Sequence, residues 1–381
     1  MKRLALALLG IALAGSVAQA EPVRPLKDQE VVERLPQGAG RADTRAIRRA
    51  WAANPGDVQL AVSLAKRDLA QAQDLGDPRF AGRALAALQA WPDAAAAPDE
   101  VLLLRATIQQ HLHAFDDAAA LLEVLLARRP GDAQAWLTLA TVRRVQGRWE
   151  VSDRACEGAA RAGAALHAQA CLAENQGLRG QFDAARQQFD LLLRTPRLPA
   201  ATRQWLATSL AELEVRAGRP VAADQAYRSA LAAEASAYTA LSYADFLIDQ
   251  RREREALRVL ASWPRSDGVL LRLAIAGQRA GASTAASDAA ELSARMAQAA
   301  LRPDALTSHA REQSMHALWI ERQPDRALRL AWTNVKLQRE PVDAWLLAQA
   351  AEATGREEAR REVRAFLKEV GWHDRRLDAL L

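Results

Sequence analysis

The chain is 381 residues long, half of them hydrophobic and a quarter charged, a balance that excludes global disorder and suffices for a large core or a long array. The formal net charge of +5, from 51 Lys and Arg against 46 Asp and Glu, hints only weakly at an acidic partner. Ala and Leu are abundant, β-branched residues are sparse and no alternating stretch marks a strand, so the composition favours helix.

Residues 1–20 have the three parts of an export signal. Lys2 and Arg3 give a basic start, Leu4 to Ala14 an apolar run, and Ala18-Gln19-Ala20 a cleavage site before Glu21. The run is shorter than the about 20 apolar residues that a membrane span needs. No Cys follows it, so lipid attachment is not expected. Loss of Lys2 and Arg3 would lower the formal charge from +5 to +3. The mature protein is expected to be exported, without a transmembrane segment, and periplasmic if the source is Gram-negative. Nucleic acid is not an expected partner in that compartment. Residues 21–43, with Pro22, Pro25, Pro36, Gly38 and Gly40, read as an extended leader. Helix is expected from Asp43 or Thr44 through Trp51.

From residue 44 onward the pattern is helix, short turn, helix. Three stretches are near copies: His113-Ala114-Phe115-Asp116-Asp117-Ala118, Gly147-Arg148-Trp149-Glu150-Val151-Ser152 and Gly180-Gln181-Phe182-Asp183-Ala184-Ala185. Phe115 and Trp149 are 34 residues apart, and Trp149 and Phe182 are 33. That period is one helical hairpin, a unit too small to bury its own apolar face, so it must stack on copies of itself. Ala106, Ala140 and Ala173 keep the same phase and mark close approach of a neighbouring helix. Asn54-Pro55-Gly56-Asp57 and Arg129-Pro130-Gly131-Asp132 repeat one punctuation: Pro and Gly end a helix, and Asp caps the next. Trp91-Pro92 and Trp263-Pro264 lie 172 residues apart, about five periods.

The pattern resembles the tetratricopeptide repeat, in which a large residue, a Leu, a small residue, a turn Gly, an aromatic, an Ala and a terminal Pro recur over 34 residues. Residues 99–197 carry the likeness best, in units 99–130, 133–164 and 166–197. Units 202–234 and 238–263 are recognisable, 267–302 and 342–368 weaker, and 57–91 divergent. Gln109 and Arg143 replace the family's first-helix Tyr, and His113 its turn Gly. The resemblance implies an all-α, right-handed α-solenoid of antiparallel helix pairs, with about eight or nine repeats over residues 44–381.

Cys156 and Cys171 are the only cysteines. They lie about two turns before and after the turn at Gly163 and Ala164, so antiparallel packing brings them together. In an exported protein they either close a disulfide staple or remain two small thiols in an Ala-rich interface, and the sequence leaves both open. The six His show no metal spacing: His111 and His113 point apart on a helix, and His309 and His316 lack further ligands beside them. No phosphate loop, nucleophile elbow or metalloprotease helix occurs, so no catalytic residue, cofactor or metal site is expected. The mixed-sign run Arg251-Arg252-Glu253-Arg254-Glu255 reads as a solvated helix face.

Family members usually hold an extended peptide or a helix along the inner surface, which the first helix of each repeat lines. Carrying that phase over places Leu103, Thr107, Gln110, Leu137, Thr141, Arg144, Trp205, Thr208, Tyr238 and Asp245 in a partner-binding groove. Trp205 and Tyr238 are the aromatic anchor candidates. The Lys and Asn clamp of chaperone-binding members is absent, with Leu103, Thr107, Leu137 and Thr141 in those places. The resemblance therefore implies a scaffold for a protein or peptide partner rather than an enzyme. The alternative is a binding module for envelope glycan or exported polysaccharide. The sequence does not specify the partner's identity or the oligomeric state.

Overall fold

The computed structural model describes residues 40–75, 78–299 and 310–381. The expected export signal and residues 21–39 of the leader lie outside the described residues. The chain divides into two units, 1–46 and 47–381. Of the first, residues 40–46 are described, and they are helical. Helix α1, Gly40–Ala53, thus begins ahead of the start that capping at Asp43 or Thr44 suggests.

No strand occurs among the described residues, and nine antiparallel hairpins follow α1. They are α2 (Val58–Leu75) with α3 (Pro78–Ala87), α4 (Asp99–His111) with α5 (Phe115–Arg128), and α6 (Ala133–Val145) with α7 (Trp149–Arg161). Next come α8 (Ala165–Leu178) with α9 (Phe182–Leu193), α10 (Ala200–Arg216) with α11 (Pro220–Ala233), and α12 (Ala237–Asp249) with α13 (Glu253–Leu260). The last three are α14 (Asp267–Ala280) with α15 (Ala285–Ala299), α16 (Ala310–Trp319) with α17 (Pro324–Leu337), and α18 (Pro341–Ala353) with α19 (Glu357–Val370). Helix α20 (Arg375–Leu380) follows them. The first helix of each hairpin packs both on its own partner and on the first helix of the next hairpin.

One backbone feature runs through the array. The turns inside the second to ninth hairpins each hold one residue at positive φ: His113, Gly147, Gly180, Gly218, Arg251, Gly281, Arg322 and Gly355, between 57° and 81°. Seven residues before these turn residues stand Ala106, Ala140, Ala173, Ala211, Ala244, Ala274 and Ala348, none more than 1% exposed. A methyl group is what the adjoining helix backbone leaves room for. In the eighth hairpin Met315 takes that place, Arg322 the turn and Pro324 the place of the aromatic, so the family signature is missing there.

Local chemistry fixes the joints. Asp57 accepts from the Gln59 and Leu60 amides at 2.9 and 3.1 Å, and Asp132 from the Ala135 amide at 2.9 Å. Both therefore satisfy orphan donors at a helix start. Gly158 on α7 lies against the Trp136 ring, where a Cβ would come within 2.5 Å. Cys156 and Cys171 are joined as a disulfide from α7 to α8, with Cα atoms 5.9 Å apart. Next to it, buried Asn175 donates to Ser152 Oγ at 2.9 Å and to Asp153 at 2.8 Å, while Ser152 donates to the Ala140 carbonyl at 2.8 Å.

The array folds back on itself. In the connector before α18, the Arg339 amide donates to the Val145 carbonyl at 2.7 Å. After α19, Gly371 lies by Trp149, and the His373 amide donates to the Leu178 carbonyl at 3.2 Å. Arg375 follows, over the Phe182 ring at 5.7 Å, and Arg376 reaches Asp249 at 3.4 Å. The C-terminal end thus runs along the turns of the third to sixth hairpins. Glycine at two of those turns serves both the positive φ and this approach: a Cβ on Gly147 would meet Arg339, and one on Gly180 would meet His373, each at 2.9 Å.

Candidate partner-binding surface

The first helices α6, α8, α10, α12 and α14 are linked one to the next by polar side chains. Arg144 pairs with Glu174, which also accepts from Ser209 at 2.7 Å. Gln204 donates to Thr239 at 2.6 Å, and Thr208 and Thr239 share a hydrogen bond of 2.8 Å. Glu212 accepts from the Tyr238 and Ser242 hydroxyls at 2.7 and 3.0 Å, and Arg272 pairs with Asp245 at 2.5 Å.

These links reassign several residues expected to line a groove. Thr208 is 3% exposed and bonded to the next helix, so it does not line the surface. Arg144 and Asp245 are engaged in inter-helix ion pairs, which leaves them poor contacts for a partner. The Thr107 and Thr141 hydroxyls bond back to the Leu103 and Leu137 carbonyls at 2.8 and 3.1 Å. Leu103, Gln110 and Leu137 are half-buried.

An aromatic strip remains. His167, Trp205 and Tyr238 sit on three successive first helices, α8, α10 and α12. Each stands thirteen residues before its turn residue, Gly180, Gly218 or Arg251, so the three share one register position. The His167 and Trp205 rings stack, with centroids 5.5 Å apart and planes at 17°. Tyr238 is 62% exposed, unusual for so large a ring. The sequence pattern points to Trp205 and Tyr238 but not to His167; the shared register is the signal that includes it.

The chemistry of the strip is that of a hydrogen-bond donor beside an acid. Burial raises the Glu212 carboxyl above its usual range, against the pull of Tyr238, Arg216 and Ser242. The charge of Glu212 raises the Tyr238 hydroxyl well above its ordinary value, helped by burial and by Glu340. The hydroxyl is therefore held protonated by its hydrogen bond to Glu212, while the side chain is largely exposed.

Among the described residues, no group of three or more His, Cys, Asp or Glu is placed to hold a metal ion. None of the described helices is long and apolar enough to cross a membrane.

No protein-family model matches the sequence, and no curated protein matches it. Solved structures do resemble it. The Rap protein complexed with competence and sporulation factor aligns over 89% of this chain and 91% of its own, at 12% identity and a TM-score of 0.50. The chain has a tetratricopeptide-like repeat fold. A tetratricopeptide repeat protein from Parabacteroides merdae aligns over 57% of this chain and 83% of its own, at 15% identity and a TM-score of 0.47. At these identities the likeness concerns the fold; the residues that would meet a partner belong to this chain alone.

Proposed function

We propose that the protein is an exported scaffold that binds a protein or peptide partner in the cell envelope, along the strip formed by His167, Trp205 and Tyr238. The observation that carries this reading is the exposed Tyr238 ring, in register with the stacked His167 and Trp205 on consecutive first helices. Aromatic rings held by rigid helices make efficient binding anchors, because little side-chain entropy is lost on contact. Export is supported by the three-part pattern of residues 1–20, and a disulfide suits an oxidising compartment.

A glycan-stacking surface is the second reading, and the exposed Tyr238 ring favours it. It is the weaker one, because His167 already covers one face of Trp205. Affinity capture from an envelope extract tests the proposal. Wild-type protein should retain a protein partner that the Trp205→Ala/Tyr238→Ala variant loses. Equal capture by both, or release by added glycan alone, contradicts it. Mature protein beginning at Glu21 in the periplasmic fraction is the expected result for export, and an uncleaved cytoplasmic chain the contrary one.

A further inference from the structure

A basic cleft lies between the turns of the sixth and seventh hairpins, on the turn edge of the array and apart from the aromatic strip. Its volume is about 530 Å³, and five arginines and two carboxylates line it. One of the carboxylates, Glu255, is already engaged: with Asp224 it holds Arg252, at 2.7 and 2.8 Å, and Arg228, at 3.4 and 2.8 Å. Arg251, Arg254, Arg258 and Arg279 are left facing Glu253 as the one carboxylate of the cleft not engaged in an ion pair.

Among the described residues, Arg251 and Arg254 have no carboxylate within ion-pair distance, and Arg258 reaches Glu255 only at 3.9 Å. Arg279 lies over the Trp319 ring at 5.8 Å and donates to the Ile248 carbonyl at 3.4 Å. Burial, and then the charge of Arg251, lower its pKa. Like charges are therefore held together here, and at Arg279 only the charges of Asp249 and Glu253 oppose the effect. Arg251 also stands at φ 59°, where five of the other turns have Gly. A left-handed backbone is disfavoured for any residue with a Cβ, and such an outlier is a reason to look for function. His113 and Arg322 share this conformation, but Arg251 is the one that carries its charge into this cleft.

We infer that this cleft binds an acidic segment of the protein partner, with carboxylates seated on Arg251, Arg254, Arg258 and Arg279. The inference rests on the scaffold reading above. Guanidinium forks match carboxylates two bonds at a time. Arg254 and Arg258 are one turn apart on α13, roughly 5–6 Å by helix geometry. Alternate residues of an extended chain are spaced by roughly 7 Å, so an extended acidic segment can present successive carboxylates to them.

The test is fluorescence anisotropy with a labelled decaglutamate peptide and, in parallel, a labelled polyuronate oligosaccharide, using the full-length mature protein. The peptide should bind the wild type, lose affinity steeply with added salt, and bind the Arg251→Glu/Arg254→Glu variant at least tenfold more weakly. Both side chains are exposed, so the variant should melt with the wild type. Arg251→Gly adds a second readout, because it removes the guanidinium and relaxes the turn. It should bind the peptide less tightly and melt no lower. No peptide binding, equal binding by wild type and double variant, or preference for the polyuronate overturns the inference. Failure of the scaffold reading has a different signature, the absence of any partner at the aromatic strip whatever the state of the cleft.

Discussion

Replacing Trp372 with Ala is expected to free the C-terminal segment while leaving the middle of the array folded. Trp372 is 7% exposed, packs edge-on to Phe366 with centroids 6.5 Å apart, and belongs to the cluster of Trp149, Leu178 and Leu377. Truncating a buried Trp costs about 3–5 kcal/mol. Its indole N–H has no acceptor among the described residues, so removing it returns about 1 kcal/mol. The net loss is about 3 kcal/mol. The hydrogen bond from the His373 amide and the Arg376–Asp249 pair contribute about 1 kcal/mol each, too little to compensate. Repeat arrays transmit damage mainly to neighbours, so the loss should stay local. Native-state hydrogen exchange should show the His373 amide deprotected while amides of α6 and α8 hold, and trypsin should cut after Arg375 and Arg376 sooner than in wild type. Uniform deprotection of all hairpins, or unchanged cleavage, would refute the reasoning.

Three further outcomes are expected. Cys156→Ala should destabilise by about 3 kcal/mol, the loop-closure value for cysteines 15 residues apart, measured by urea unfolding with and without reductant. Two alkylatable thiols in the unreduced wild type would contradict the staple. Arg311→Ala should cost about 3–5 kcal/mol, because it strands the fully buried Asp343 carboxylate, to which Arg311 donates at 2.6 and 2.9 Å; a loss under about 1 kcal/mol would rule out that role. Burial raises the Asp249 carboxyl to about 6, against the pull of Arg376. An unfolded Asp titrates near ~3.9, so between these values the folded state binds the extra proton and this group's contribution to stability rises as pH falls from 6 to 4. Asp249→Asn should remove a pH-dependent contribution on the order of 2–3 kcal/mol, and parallel stability–pH curves for variant and wild type would speak against it.

The hairpin period was legible because it follows from packing. The Ala at each close approach and the Asp caps are local requirements, and both appear where the sequence places them. The eighth hairpin was not legible, because Met315 stands where the second to seventh and ninth hairpins have Ala, and its turn and aromatic places hold Arg322 and Pro324. The return of the C-terminal end was also hidden: the His373–Leu178 and Arg376–Asp249 contacts join residues far apart in sequence, and no local pattern encodes them. At the candidate surface, register identified Tyr238 and Trp205. It could not show that Thr208, Arg144 and Asp245 are engaged in holding one helix to the next, since that depends on their neighbours' side chains.

The most direct measurement of partner recognition is site-specific photocrosslinking in cells. A photoreactive amino acid at Tyr238 is compared with one at Leu191, which lies on the second helix α9 and is equally exposed at 62%. The account predicts a discrete protein adduct from position 238 and none from position 191. Adducts of equal yield from both positions, or from Leu191 alone, would contradict it.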